Sequence, residues 1–183
     1  MARSLPAPPA GDLWVFAYGS LMWKPGFPFA ESHLARLHGY HRSLCIWSVV
    51  HRGTRRRPGL VFGLDAGGSC VGMAYRVPPK SVTPTLEYLV ERELVTDVYH
   101  PRLHRVHIPD GAVQALTFVV DRGHWQYAGR PSMREVTATV ATARGRSGAN
   151  RDYVTNTFTH LQELGIYDPH LDQISQALRD HRS

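Results

Sequence analysis

The feature that most limits what this chain can fold into is a change of period along it. Short apolar runs broken by Gly and Pro fill the first two-thirds, and from Ser132 onward the spacing turns helical. The runs Leu13 to Tyr18, roughly Leu34 to Val50 with a bend at Gly39, Leu60 to Leu64 and Val71 to Val77 read as strands. Asp65-Ala66-Gly67-Gly68 is expected to close a hairpin between the last two. A helix is expected from about Pro84 to Leu94, with Thr83 as cap, Pro84 at its first position and Glu87 in its first turn. Leu103 to Ile108 and Val113 to Val120, joined by Pro109-Asp110-Gly111, predict a second hairpin.

Helical signals then take over. Ser132-Met133-Arg134-Glu135 forms a capping box ahead of Val136 and Val140. Asn150 is expected to cap a helix carrying Tyr153, Val154, Thr157, Phe158 and Leu161 and ended by Gly165. Asp168-Pro169 opens a last helix with Leu171, Ile174 and Leu178 inward. Many short strands followed by helices predict an α+β fold, a small closed or nearly closed β-barrel flanked by helices.

With 183 residues, the expectation is a flexible Pro- and Ala-rich tail over residues 1–11 and a single domain over residues 12–183. No apolar run is long enough to cross a bilayer, so no membrane insertion is expected. Only Cys45 and Cys70 occur, without C-x-x-C spacing, which supports neither a disulfide framework nor a zinc site and suits a reducing cytoplasm. Each lies in an apolar strand pattern, where a buried inert thiol is the commoner outcome than a nucleophile. The net charge of +6 can steer an anionic partner. The one dense basic run, Arg55-Arg56-Arg57, sits between Gly53 and Pro58-Gly59 as a solvated loop tip, and no nucleic-acid-binding pattern accompanies it, so no nucleic acid is expected as partner. His100, His104 and His107 are close in sequence, but their uneven spacing on a strand does not converge, and no metal site is expected. Trp14, Trp23, Trp47 and Trp125 read as core or pocket walls.

Two features carry chemistry. The turn Tyr18-Gly19-Ser20-Leu21 follows directly on an apolar strand; Gly19 allows close ligand approach, and the N–H groups of Ser20 and Leu21 are suited to a carboxylate or an oxyanion. The same four residues also fit a plain surface turn. About seventy residues on, Leu86, Leu89 and Val90 form an apolar helical stripe whose next member is Glu93, so a carboxylate faces inward. It is either the structural partner of an arginine such as Arg92, Arg102 or Arg105, or a general base whose burial raises its pKa toward neutrality.

The stretch Trp14-Val15-Phe16-Ala17-Tyr18-Gly19-Ser20-Leu21-Met22-Trp23-Lys24-Pro25, then Tyr88-Leu89-Val90-Glu91-Arg92-Glu93-Leu94-Val95-Thr96-Asp97-Val98-Tyr99, resembles the ChaC family of glutathione-specific γ-glutamylcyclotransferases. Gly145-Arg146-Ser147-Gly148-Ala149-Asn150-Arg151-Asp152-Tyr153, with Leu161, Leu164-Gly165-Ile166 and Asp168, is similar to the bacterial branch. The resemblance implies a γ-glutamylcyclotransferase-like barrel, a substrate-binding turn at Ala17, Tyr18, Gly19, Ser20, Leu21 and Met22, Glu93 as the catalytic glutamate, and Tyr99 and Tyr153 as pocket-lining residues. It further implies glutathione as substrate, 5-oxoproline and Cys-Gly as products, and no metal or organic cofactor. One departure is Asp97, where a glycine is expected in much of the family. Two alternatives stand beside this: a cyclotransferase for other γ-glutamyl amines or amino acids, and a non-catalytic module that binds a small acid and regulates a partner.

Overall fold

The computed structural model describes residues 5–7, 10–94 and 96–181; of the tail expected over residues 1–11, residues 1–4 and 8–9 lie outside the described residues. The chain falls into two compact units, one holding the sequence up to Arg42 together with Leu64–His124, the other Ser43–Gly63 with Trp125 onward.

Five strands close into a barrel in the order β1, β3, β2, β4, β5, where β1 is Leu13–Ala17, β2 Glu31–Ser48, β3 Gly59–Val77, β4 Tyr99–Ile108 and β5 Gly111–Val120. In β1 the apolar run is buried on both sides, as suits a strand between two neighbours: it lies antiparallel to β3, Leu13 opposite Val77 and Ala17 opposite Met73, and parallel to β5, Val15 opposite Leu116. Strands β4 and β5 form the expected hairpin, closed at Ile108 and Gly111. Phe16, Leu37, Leu64, Ala74, Val106 and Ala115 meet in the barrel core.

Four local expectations change. No hairpin forms at Asp65-Ala66-Gly67-Gly68; β3 is one continuous strand of 19 residues. Gly67 and Gly68 do take left-handed φ values of 104° and 69°, but they bend the strand instead of reversing it. Strand β2 runs alongside, with the Arg36 guanidinium donating to Ser69 Oγ at 3.1 Å and His41 Nδ1 lying 2.9 Å from the Gly67 carbonyl. Buried Asp65 holds Arg122 at 2.6 Å, fixing the segment that local sequence offers as a turn.

Helix α1, Pro79–Glu93, starts a turn earlier than Thr83 and Pro84 suggest. Extended Pro78 serves as its N-cap and Pro79 occupies its first position, where the missing N–H costs nothing. Pro84 then sits inside the helix on its exposed side, where it has no N–H to donate to the Lys80 carbonyl. The inward stripe is also different: Val82, Thr85 and Leu89 are buried, whereas Val90 is exposed.

In the second unit, α2 (Met133–Thr142) begins on the expected capping box, and α4 (Pro169–Asp180) begins at Asp168, whose carboxylate accepts from Leu171 N–H at 3.1 Å. Between them the short pair β6 (Arg144–Gly145) and β7 (Gly148–Ala149) leads into α3, Asn150–Glu163. Asn150 is not its cap; that position belongs to Ala149. The Asn150 side chain is fully buried and spent on β3 instead, Nδ2 donating to the Leu60 carbonyl and Oδ1 accepting from the Leu60 N–H, both at 2.7 Å. Among the described residues no helix is long and apolar enough to cross a membrane.

Candidate active site

The end of β1 delivers the chain into a single 3-10 turn, Ser20–Met22, in which the Met22 N–H donates to the Gly19 carbonyl at 2.9 Å. The N–H groups of Ser20 and Leu21 precede that first bond, so the turn's own ladder does not use them. Ala17, Tyr18, Leu21 and Met22 are buried and Gly19 and Ser20 half-buried. Gly19 has φ −130° and ψ −137°, so no left-handed turn forms there. Its value lies elsewhere: a Cβ built on Gly19 would meet no atom within 4 Å, so the absent side chain leaves open room beside the turn.

Two groups that local sequence does not reveal fix the turn from behind. Arg42 reaches in from β2, where it is 4% exposed, and its Nε donates to the Tyr18 carbonyl at 2.6 Å and its terminal nitrogen to the Val71 carbonyl at 2.7 Å. The Tyr75 hydroxyl donates to the Met22 carbonyl, and burial pushes its pKa up to about 12, so it stays a donor throughout the physiological range.

Glu93 is the last residue of α1 and continues the stripe Val82, Thr85, Leu89 one turn further, its side chain 18% exposed. Burial raises the Glu93 pKa above the ordinary carboxylate value, while the charge of Arg92 and a hydrogen bond from it pull the other way. Placement at a helix C-terminus, where the dipole disfavours an anion, acts in the same direction as burial.

Arg92 joins these parts. Its Nε lies 3.2 Å from Glu93 Oε1, one terminal nitrogen donates to Ser20 Oγ at 2.7 Å, and the other donates to the Lys24 carbonyl at 3.0 Å and to the Tyr88 hydroxyl at 2.6 Å. Of the three arginines considered from sequence, Arg92 is the one that holds the glutamate. Tyr88 reaches this cluster over Gly26, which has φ 77° and whose Cβ would collide with the Tyr88 hydroxyl. The carboxylate and the Gly19-Ser20 turn, separated in sequence, are therefore tied through one guanidinium. The signal for it was present as Arg92-Glu93, but adjacency in a helix gives no hint that the arginine turns back to Ser20.

The remaining residues singled out in the sequence lie as follows. Tyr99 opens β4 opposite Val120 and is half-buried. Asp97 is exposed in the turn before it, and among the described residues no non-glycine residue has a positive φ, so a glycine is not demanded there. Tyr153 belongs to the second unit, where its hydroxyl accepts from the Phe62 N–H at 3.1 Å and the Arg52 guanidinium lies 5.3 Å from its ring centre. Cys45 and Cys70 are buried and joined in no disulfide.

Residues 13–181 match the family model described as ChaC-like protein. The chain is 34% identical over 173 residues to the glutathione-specific γ-glutamylcyclotransferase of Escherichia coli (strain K12), covering 94% of this chain and 75% of that protein. It is 35% identical over 174 residues to glutathione-specific γ-glutamylcyclotransferase 1 of Rattus norvegicus, covering 91% and 78%. Among solved structures, the selenomethionine-labelled γ-glutamylcyclotransferase specific to glutathione from yeast shares the fold with a TM-score of 0.84 at 21% identity, over 93% of this chain and 96% of that one. From the strand that precedes the Gly19-Ser20 turn to the end of the last helix, the chain belongs to the ChaC-like family.

Proposed function

We propose that the protein is a glutathione-specific γ-glutamylcyclotransferase that converts glutathione to 5-oxoproline and Cys-Gly. The observation that carries this reading is the largely buried carboxylate of Glu93, held 3.2 Å from the same guanidinium that grips Ser20 Oγ at 2.7 Å. The names of the 34–35% identical relatives supply the substrate.

In the reaction, the α-amine of the γ-glutamyl group attacks its own γ-carbonyl carbon. A five-membered lactam forms and the amide C–N bond to the cysteine breaks, with no water consumed. The amine arrives largely as ammonium, so a base must first take a proton, and the departing cysteine amine must receive one. Glu93 does both: its raised pKa brings proton exchange closer to neutral pH than for an exposed carboxylate. Because the reaction is intramolecular, the site's other task is to hold the substrate folded, nitrogen against carbon. The N–H groups of Ser20 and Leu21 take the substrate carboxylate or the developing oxyanion, and the room beside Gly19 admits the glutamyl backbone. Two buried cysteines outside any disulfide support the accompanying reading of a reducing, cytoplasmic setting.

Incubating purified protein with reduced glutathione, γ-glutamyl-alanine and γ-glutamyl-lysine and resolving the products tests the reading directly. Oxoproline and Cys-Gly from glutathione, with the other two inert, is the expected result; turnover of all three would assign a broader γ-glutamyl specificity. A Gly19→Val variant should keep its fold, since the new Cβ meets nothing, but should weaken substrate capture by roughly tenfold or more, about 1.4 kcal/mol. Unchanged KM in that variant would move the substrate away from the turn.

Arg92 supplies a pH test. It pulls the Glu93 pKa down against burial, so removing its charge lets that pKa rise. The base form is then populated only at higher pH, and the acid limb of the kcat/KM profile should move upward in Arg92→Gln but stay near the parent position in Arg92→Lys. An acid limb that does not move in Arg92→Gln would separate the arginine from the proton transfer.

A further inference from the structure

The densest positive charge in the chain plays no part in the chemistry above. Between Ser43 and Gly63 there are four arginines and no Asp or Glu. In the second unit, next to this charge, Trp47, Val49, Arg55, Pro58 and Trp125 line an open cavity of about 310 Å³. Trp125 is 64% exposed. We propose that this cleft is a binding site for a small planar aromatic anion of the nucleoside monophosphate class, the ring lying against the indoles and the phosphate meeting Arg55 and its neighbours.

Four observations support a built site. The two tryptophan segments are locked together: the Trp47 N–H donates to the Gln126 carbonyl and Gln126 Nε2 donates back to the Trp47 carbonyl, both at 2.8 Å, and the Ala128 N–H donates to the Cys45 carbonyl at 2.8 Å. The arginine loop is closed by its own reciprocal pair, Thr54 N–H to the Arg57 carbonyl at 2.9 Å and Arg57 N–H to Thr54 Oγ1 at 3.1 Å, which presents Arg55 and Arg56 at its tip. Gly53 sets the loop against the end of β2, where a Cβ would strike backbone atoms of Pro58 and Ser48 at 2.6 Å. The Arg146 and Ser147 N–H groups donate to the Val50 and His51 carbonyls at 2.8 and 2.9 Å, bracing the same stretch.

The lining decides the ligand class. Indole faces accept any flat ring, and a guanidinium adds both a cation–π partner and a bidentate anion donor. A volume near the lower bound of small-molecule sites suits one ring with one anionic group and is short for a run of nucleotides. Trp47 and Trp125 are thus walls of a cleft, as the sequence suggested, but an aromatic and cationic one.

Saturation-transfer NMR and calorimetry on the full chain, with AMP as probe and adenosine, inorganic phosphate, indole and a short single-stranded oligothymidylate as comparisons, test this. The expected result is saturable AMP binding, about tenfold tighter than adenosine or phosphate, and weakened about tenfold in both Trp125→Ala and Arg55→Gln. Glu93→Gln should bind AMP like the parent, because the cleft shares no residue with the proposed active site. AMP binding no tighter than phosphate, or indole binding as well as AMP, would overturn the proposal. Displacement of AMP by glutathione in the Glu93→Gln protein would overturn it by making the cleft part of the substrate site. Oligothymidylate binding far more tightly than AMP, with a steep salt dependence, would assign the surface to a strand instead.

Discussion

Replacing Glu93 by Gln is expected to slow 5-oxoproline release by about 100-fold to 10,000-fold, the range for loss of a general acid/base, while leaving the fold unchanged. The fold survives because Gln keeps the shape and an oxygen for Arg92 to hold, and Arg92 retains Ser20, Lys24 and Tyr88. Turnover falls because an amide can neither take the ammonium proton nor return it to the departing cysteine amine. Glutathione itself should still bind, so KM should change far less than kcat. Chromatographic quantification of oxoproline beside a thermal melt separates the two effects. A folded variant that cyclises glutathione at close to the parent rate would leave Glu93 as nothing more than the ion-pair partner of Arg92.

The largest stability effect is expected away from the reacting groups, at Asn150. Its amide satisfies both backbone groups of Leu60, which are buried with it. Asn150→Ala removes donor and acceptor together and strands a buried N–H and a buried C=O. At about 1–3 kcal/mol for each of the two unsatisfied groups, the loss should be about 2–6 kcal/mol. Urea denaturation followed by circular dichroism reads it as a lower midpoint with little change in slope. A loss below about 0.5 kcal/mol, the level of a neutral surface change, would show that Leu60 finds other partners.

Much of the barrel was legible in the sequence because its strands obey local rules: Leu13 to Ala17 is an apolar run between two neighbours, and the turn through Asp110 and Gly111 joins β4 to β5 as its composition dictates. What failed were places where one local pattern serves two geometries. A pair of left-handed glycines closes a hairpin or bends a strand, and only the neighbouring strand β2, with Arg36 and His41, decides which. Asn at a helix start caps it or crosses to β3, and Leu60 lies 90 residues away. In the site, the inward position of Glu93 was legible from helical spacing even though Val90 was wrongly placed on the inward face, because Leu89, with Val82 and Thr85 behind it, sets the register. Arg42, Tyr75 and the outward reach of Arg92 were not legible, since each acts on residues 20 to 72 positions distant, which no periodicity encodes.

The four-way grip of Arg92 bears on how the family can change. Ser20, Lys24, Tyr88 and Glu93 all answer to one side chain, so replacements among them are epistatic: the effect of one depends on which of the others is already altered. Gly26 belongs to the same group, because any larger residue would push Tyr88 out of it. Paired replacements among these positions should therefore depart from the sum of the single ones in double-mutant cycles.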